Sequence, residues 1–200
     1  MWVEPDTNVP SGESLVRQLL LGKRFMKEEF GVDSKVVWLP DVFGYSWALP
    51  QIMQKSGIDY FMTSKISWNQ LNRFPHDTFN WRGVDGTEIL THMITMPEHP
   101  EGGPPYTYNG IIEPKSIKGA WDEYQQKDIN EEVLASFGWG DGGGGPTKEQ
   151  IETARVMKNL PGMPKVEMGH AEPYFKRLKE QVKNKNVPTW DGELDLEYHR

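Results

Sequence analysis

The sequence predicts an α/β fold: part of a (β/α) barrel with parallel strands and one inserted hairpin. Short β-branched runs alternate with amphipathic helical stretches about five times along the chain. An Asp-Gly pair between two strand-like runs at residues 78–95 indicates the hairpin. Carboxylates follow two of the apolar runs directly, at the strand ends where α/β proteins carry their sites. A doubly wound sheet is the alternative, and we favour the barrel.

The first half of the chain predicts helix–strand units that lead into the hairpin. Ser11 is a good N-cap, and Gly31 is a good stop for the helix that follows. In order, we expect a helix from Ser11 to Gly31, a strand at 36–39, a helix at 46–57, a strand at 58–62, a loop at 64–77, and hairpin strands at 78–81 and 88–95.

The second half predicts further alternation after a long proline-rich loop. Loops of this length in compact domains tend to be functional or disordered. In order, we expect the loop at 97–109, a helix at 115–127, a strand at 132–139, a glycine-rich turn at 140–146, a helix from Thr147 to 159, a strand at 165–168, a helix at 171–183, and a strand at 194–198.

The amino-acid composition and charge of the chain argue against several classes of partner and metal site. The chain has 200 residues and a net charge of −7, without a Lys/Arg cluster, so we expect no nucleic-acid partner. No apolar run is long enough for a membrane span, so we expect no membrane partner. Cysteine is absent, which fits a reducing compartment and restricts any metal site to His, Asp or Glu ligands. Both ends read as interrupted, so we expect a fragment of a longer protein.

Two aspartates are candidate site residues because each follows a predicted strand. Asp41 comes after the run at 36–39, and Asp141 opens four consecutive glycines. The glycine run lacks the Gly-Lys-Ser/Thr ending of a phosphate-binding loop. A pair of carboxylates suits glycoside hydrolysis, which needs a nucleophile or base and a proton donor. In the alternative interpretations, Asp41 only caps its turn and the glycine run is only a flexible turn.

Four motifs carry a resemblance to a known family, and the first and last of them are specific. They are Trp-Val-Glu-Pro-Asp at residues 2–6, Pro-Ser-Gly-Glu-Ser at 10–14, Trp-Leu-Pro-Asp-Val-Phe-Gly-Tyr-Ser at 38–46 and Gly-Trp-Gly-Asp-Gly-Gly-Gly-Gly-Pro at 138–146. Together they resemble the α-mannosidases of glycoside hydrolase family 38, and the last is similar to the cytosolic and bacterial branch. The resemblance implies that residues 1–200 are one segment of an N-terminal catalytic domain, a seven-stranded β/α barrel, in a cytoplasmic enzyme whose other domains lie outside the chain.

The resemblance also implies a reaction and roles for particular residues. The family hydrolyses α-linked mannose from glycans or oligosaccharides with retention, through a covalent glycosyl-enzyme intermediate and with a bound zinc ion. By position in the motifs, Asp41 corresponds to the nucleophile and a zinc ligand, and Asp141 to the acid/base. Lys65 corresponds to a basic residue near the nucleophile and sugar, where it would keep Asp41 ionised; a surface lysine is the alternative.

Other expected site residues are less fixed. In the family a tyrosine from the long loop contacts sugar, and either Tyr106 or Tyr108 could be that residue. The family's other zinc ligands, a His-x-Asp pair and a distant histidine, would precede Met1 and follow Arg200, so the chain alone should bind zinc weakly and hydrolyse nothing. His92 either reaches the site or is a hydrogen-bonded structural histidine. Glu4 and Asp6 should support the site by packing and hydrogen bonds.

Two other functions remain open at this stage. A metal-dependent carbohydrate deacetylase-like hydrolase on a related barrel would use Asp41 as a metal ligand or base, without a glycosyl intermediate. A non-catalytic carbohydrate-binding module would bind sugar through Trp and Tyr side chains and would not need Asp141. A homo-oligomer of the full-length protein is a further expectation.

Overall fold

The computed structural model describes residues 1–99, 101–195 and 197. Its central element is a five-stranded sheet built from β1 (Val36–Trp38), β2 (Tyr60–Thr63), β3 (Thr78–Arg82), β4 (Glu88–Met93) and β5 (Thr189–Asp191). The strand order is β1-β2-β4-β3-β5. The β1/β2, β2/β4 and β3/β5 pairs are parallel, whereas β3 and β4 form an antiparallel hairpin. The α/β class and the inserted hairpin are therefore confirmed as a mixed sheet, while a barrel is not seen in the described part of the chain.

The chain divides into two compact units. The first unit comprises Met1–Met93 and Asn186–Arg200, and the second comprises Ile94–Lys185. The first unit contains the sheet together with helices α1 (Gly12–Phe30) and α2 (Leu49–Lys55). Its core consists of large side chains that are fully buried, among them Leu19, Leu49, Phe61, Phe79 and Trp81.

The helix ends of the first unit follow from local hydrogen bonding. The Ser11 side chain accepts a bond from the Ser14 backbone N–H, and Gly31 ends α1 with a φ of 68°, as predicted. Helix α2 begins at Leu49, three residues later than predicted. The reason is that Ser46 caps a turn instead, since its Oγ accepts a bond from the Ala48 N–H at 3.3 Å.

The described residues of the second unit form three helices, α3 (Pro114–Glu123), α4 (Lys148–Met157) and α5 (Ala171–Val182), near the predicted positions. Thr147 and Gln150 form a reciprocal capping box at the start of α4, which confirms Thr147 as the cap. No helix in the described part of the chain has the length and apolar character needed to cross a membrane.

The predicted strands at 132–139 and 165–168 are wrong. Both stretches are irregular chain, and the first makes only isolated bridges, between Phe137 and Gly110 and between Trp139 and Gly145. The apolar side chains that suggested a strand at 132–139 instead pack, half-buried, against the small helical clusters of this unit. A β-like pattern forms a strand only where a neighbouring strand is available to pair with it.

Strand β5 lies at Thr189–Asp191, earlier in the chain than the strand predicted at 194–198. Leu194 makes only an isolated antiparallel bridge with Tyr45, while Leu196 and Tyr198 lie outside the described residues.

Candidate active site

Asp41 lies in the turn that follows β1, at the carboxyl end of the parallel part of the sheet. Its Oδ1 is 2.5 Å from the Lys65 Nζ, and 39% of its side chain is exposed. Its backbone N–H donates a hydrogen bond to the Glu4 carboxylate. Asp41 is therefore fixed at both its backbone and its side chain, while the carboxylate keeps an accessible face.

Lys65 follows β2 after one residue, Ser64, and begins a short 3₁₀ turn, Lys65–Trp68. Only 6% of its side chain is exposed, which is unusual for lysine because burying an ammonium group is costly without a countercharge. Asp41 supplies that countercharge. The ammonium also lies 4.2 Å from the centre of the Trp68 ring and 4.9 Å from that of Phe43, in two cation–π contacts. Lys65 is thus a buried lysine in contact with Asp41, not a surface lysine.

Glu4 stands beside this ion pair. Partial burial raises the pKa of Glu4, and the charge of Asp41 adds to this effect. The hydrogen bond from the Asp41 N–H and the charge of Lys65 act in the opposite direction on the same pKa. The expectation that Glu4 supports the site agrees with this contact, which joins residues 37 positions apart.

A buried group of hydroxyls holds the end of β1 against the end of β2. The Tyr45 and Thr63 hydroxyls lie 2.9 and 2.8 Å from the Leu39 carbonyl oxygen and 2.6 Å from each other. Tyr45 is fully buried, which raises the pKa of its hydroxyl well above the usual range. These buried hydrogen bonds consequently fix the position of the residues on which the Asp41 turn begins. This role of Thr63 is not predictable from the sequence, since a threonine inside a strand gives no signal.

Asp141 belongs to the second unit, where the glycine-rich loop closes on itself. Trp139 and Gly145 exchange two backbone hydrogen bonds of 2.9 and 2.8 Å across the loop. Asp141 adopts a φ of 52°, a left-handed conformation that aspartate tolerates better than most residues. Its carboxylate accepts a hydrogen bond from the Tyr108 hydroxyl. A Cβ at position 140 would come within 2.8 Å of the Tyr108 ring, so only glycine allows that ring to approach the loop.

The two tyrosines of the long loop have different surroundings. Tyr106 is 2% exposed, and its hydroxyl donates to the Glu123 carboxylate at 3.1 Å. Tyr108 is half-buried and bonds Asp141. The structure thus brings Asp41 together with Lys65 and Glu4, and Asp141 together with Tyr108. The pairing of the two aspartates stays a prediction.

His92 is buried on β4, and its Nδ1 lies 2.9 Å from the Thr78 Oγ1. Burial lowers the pKa of His92 to about 3, so the imidazole is neutral near pH 7. These facts support the interpretation of His92 as a structural histidine. His199 lies outside the described residues.

Comparison with known proteins connects this geometry to a family. The model of the glycosyl hydrolases family 38 N-terminal domain matches residues 1–193. The chain belongs to glycoside hydrolase family 38. The resemblance noted in the four motifs is therefore confirmed.

Several family 38 relatives are similar along the whole chain. An α-mannosidase of Saccharomyces cerevisiae is 43% identical over 206 residues, covering 100% of this chain and 18% of that protein. An α-mannosidase G of Dictyostelium discoideum is 43% identical over 199 residues, covering 100% of this chain and 17% of that protein. The chain thus spans less than a fifth of the length of these curated relatives.

A solved structure of another protein is similar in fold. The crystal structure of an α-mannosidase from Enterococcus faecalis matches 96% of this chain and 21% of that chain, with a TM-score of 0.67 and 19% sequence identity. At this level of identity the match concerns the fold alone.

Among the residues that the structure describes, we looked for side chains that could hold zinc. Zinc in proteins is usually held by about four ligands, three of them from the protein even in catalytic sites. Within residues 1–99, 101–195 and 197, no group of three or more His, Asp, Glu or Cys side chains is placed to hold a metal ion. Asp41 is an accessible carboxylate that could contribute one ligand, although its Oδ1 is already paired with Lys65.

Proposed function

We propose that this chain supplies both catalytic carboxylates of a retaining α-mannosidase that removes α-linked mannose from glycans or oligosaccharides. The relatives that match the whole chain are named α-mannosidases, which supports the reaction class. The proposal includes the architecture: residues 1–200 form one segment of an N-terminal catalytic (β/α) barrel in a longer, cytoplasmic enzyme.

One observation carries the assignment of the nucleophile. Asp41 is an accessible carboxylate at the end of a parallel strand, and it is fixed by a buried lysine at 2.5 Å and by a backbone hydrogen bond. A nucleophile needs both its charge and its position maintained before substrate arrives. The exposed ring of Phe43, which is 52% accessible beside the ion pair, offers an apolar surface for a sugar face.

In the proposed reaction Asp41 attacks the anomeric carbon of a bound mannoside and forms a glycosyl ester. Asp141 donates a proton to the leaving oxygen, and then removes a proton from the water that hydrolyses the ester. Tyr108 holds the Asp141 carboxyl group in one orientation through its hydroxyl. The ring of Tyr106 is buried, so in this proposal Tyr106 supports substrate binding only by packing the loop that carries it.

In this proposal, a bound zinc ion takes most of its ligands from parts of the longer protein outside this chain. We expect Asp41 to provide one ligand and the remainder of the longer protein to provide the others. When bound, zinc would act as a Lewis acid toward sugar hydroxyls. The 200-residue chain alone should bind zinc weakly, which equilibrium dialysis against zinc can measure.

The deciding experiment uses the full-length protein and a mechanism-based fluorinated mannoside. We expect the reagent to label Asp41, identified by peptide mass mapping, and Asp41→Asn to abolish both labelling and turnover. Exposed Asp59 offers a matched control, since Asp59→Asn removes a carboxylate outside the site. Labelling that leaves Asp41 unmodified in an active enzyme would refute the nucleophile assignment, and release of acetate from acetylated sugars would favour the deacetylase.

The acid/base assignment has its own test. We expect Asp141→Ala to lower kcat by about 10²–10⁴-fold, the usual range for loss of a general acid, with the largest loss for substrates whose leaving group most needs protonation. Measured turnover and sugar binding that stay unchanged in Asp141→Ala would point to the non-catalytic binding module instead.

A further inference from the structure

We propose that residues 4–8, here called the N-terminal arm, position the nucleophile, and that Glu4 is the positioning residue that acts on Asp41. The inference rests on the proposed role of Asp41 and deepens it. It assigns a task to the Trp-Val-Glu-Pro-Asp motif, to which the proposed reaction gives no direct part.

The arm contacts the turn that carries Asp41 at three points. The Glu4 carboxylate accepts the backbone N–H of Asp41 itself. The Thr7 hydroxyl, which is buried, donates to the Gly44 carbonyl oxygen at 2.8 Å, and the Asn8 side-chain amide lies 3.5 Å from the Phe43 carbonyl oxygen. The turn is therefore bonded along its length by side chains that lie more than thirty positions earlier in the sequence.

The arm has a defined shape of its own. The Asp6 Oδ1 accepts the backbone N–H groups of Asn8 and Val9, each at 2.8 Å, which closes a local turn and presents Thr7 and Asn8 to the loop. Just before the arm, the Trp2 N–H donates to the Gln18 carbonyl oxygen of α1 at 2.8 Å. The chain is thus bonded to a long helix two residues before the arm begins.

The loop is built to receive the arm closely. Gly44 has a φ of 109°, and a Cβ at this position would come within 2.8 Å of the Asn8 Nδ2. On the next residue, Tyr45 exchanges two backbone hydrogen bonds with Leu194, of 2.7 and 3.0 Å. The turn that carries Asp41 is accordingly held by the arm at residues 41–44 and by Leu194 at Tyr45.

The contacts matter for reaction because the turn contains no regular structure. Residues 41–44 belong to no helix or strand, so no ladder of backbone bonds fixes the Asp41 Cα. Displacing a catalytic group by about 1 Å can cost about 10²-fold in rate. Lys65 contacts the end of the Asp41 side chain, and Glu4 accepts its backbone N–H. We therefore expect the carboxylate to keep a single orientation only when both contacts are present.

Two substitutions at Glu4 separate positioning from mere folding. In the full-length protein we expect Glu4→Ala to lower kcat by about 10–100-fold with KM within about threefold of the parent. Glu4→Gln keeps an oxygen that accepts the Asp41 N–H, so it should restore kcat to within about fivefold. Exposed Glu29 on α1 provides the control, and Glu29→Ala should leave kcat and thermal stability unchanged.

Amide hydrogen exchange of the peptide that contains Asp41 gives a readout independent of activity. It should quicken about tenfold or more in Glu4→Ala and stay near the parent rate in Glu4→Gln. Unchanged exchange together with unchanged kcat in Glu4→Ala would overturn the proposal, as would Glu4→Gln behaving like Glu4→Ala. If the parent protein has no mannosidase activity, the proposed function fails, while the exchange rates still decide whether Glu4 holds the Asp41 backbone.

Discussion

At the scale of single residues, Lys65 is the most constrained charged group of the site. Its ammonium is buried against Asp41 and two aromatic rings, so the pair loses most of its stabilisation if either charge is removed. We expect Lys65→Met in the full-length protein to lower kcat/KM by about 10²-fold, because the Asp41 carboxylate loses its countercharge and its anchor. Lys55, a mostly exposed lysine paired with Asp85, offers the control variant Lys55→Met. Steady-state kinetics on an aryl mannoside measures both, and equal activity of the two variants would contradict this role.

A second residue-scale prediction concerns His92 and acid stability. The pKa of His92 is about 3 in the folded chain and 6.5 for an unperturbed histidine. Between these pH values the unfolded chain binds a proton at His92 and the folded chain does not. The contribution of a neutral His92 is complete above pH 6.5 and is lost as the pH falls from 6.5 toward 3. Within that window, the free energy of unfolding should fall by up to about 1.4 kcal/mol per pH unit from this group.

The measurement is urea unfolding at several pH values for the parent chain and for His92→Asn, which retains a group able to bond the Thr78 hydroxyl. The difference in unfolding free energy between the two proteins should shrink as the pH falls from 6.5 to 4. A difference that is constant across this range would show that His92 has the same pKa in the folded and the unfolded chain.

At the scale of elements, the contact of α1 with the start of the chain depends on Gly22. A Cβ there would lie 2.5 Å from the Met1 carbonyl carbon and 2.6 Å from the Trp2 backbone nitrogen. Helix propensity alone favours Ala over Gly by about 1 kcal/mol, but this clash is with backbone and cannot relax by a rotamer change. We therefore expect Gly22→Ala to lower the free energy of unfolding by about 1–3 kcal/mol.

Gly12, the first residue of the same helix, is the matched control because a Cβ there meets nothing within 4 Å. Gly12→Ala should leave the unfolding free energy within about 0.5 kcal/mol of the parent or raise it. Thermal and urea unfolding of both variants measure the pair, and a stabilising Gly22→Ala would mean that residues 1–3 are not held against α1.

Helices with a capping residue in the sequence were predicted well, whereas strands that must pair with a segment far away in the sequence were not. The helix that follows Ser11 and the one that follows Thr147 were found from their caps, because a cap is a local interaction readable in the sequence. The irregular stretch at 132–139 was predicted as a strand from its apolar composition. Whether such a stretch pairs depends on which segment lies beside it, and no single stretch carries that information.

At the scale of the whole chain, stability should be uneven between the two units. In the first unit, β2 and β4 each have a partner on both sides, and all four residues of β2 are buried. The described part of the second unit has helices of 10–12 residues and isolated bridges in place of a sheet. We expect the slowest-exchanging amides of the chain to lie in β2 and β4, as measured by hydrogen exchange with mass spectrometry. Slowest exchange within 94–185 would contradict this order.

The candidate site was predictable only in part. Asp41 and Asp141 stand out because each follows an apolar run, and the motifs around them resemble those of family 38, to which the chain belongs. The closeness of Lys65 to Asp41 follows from two adjacent parallel strands that end at the same edge. The hydrogen bond from the Asp41 backbone to Glu4 joins segments with no regular structure, and no periodicity in the sequence indicates it.

Because the Lys65 amine is shielded, its rate of acetylation indicates whether the site is correctly folded. Acylating reagents need a deprotonated, accessible amine, and this one is enclosed by a carboxylate and two ring faces. Exposed amines such as that of Lys148, with 83% of its side chain accessible, should be acetylated long before it. The order in which lysines acquire acetyl groups would then distinguish properly formed preparations from damaged ones without any substrate at hand.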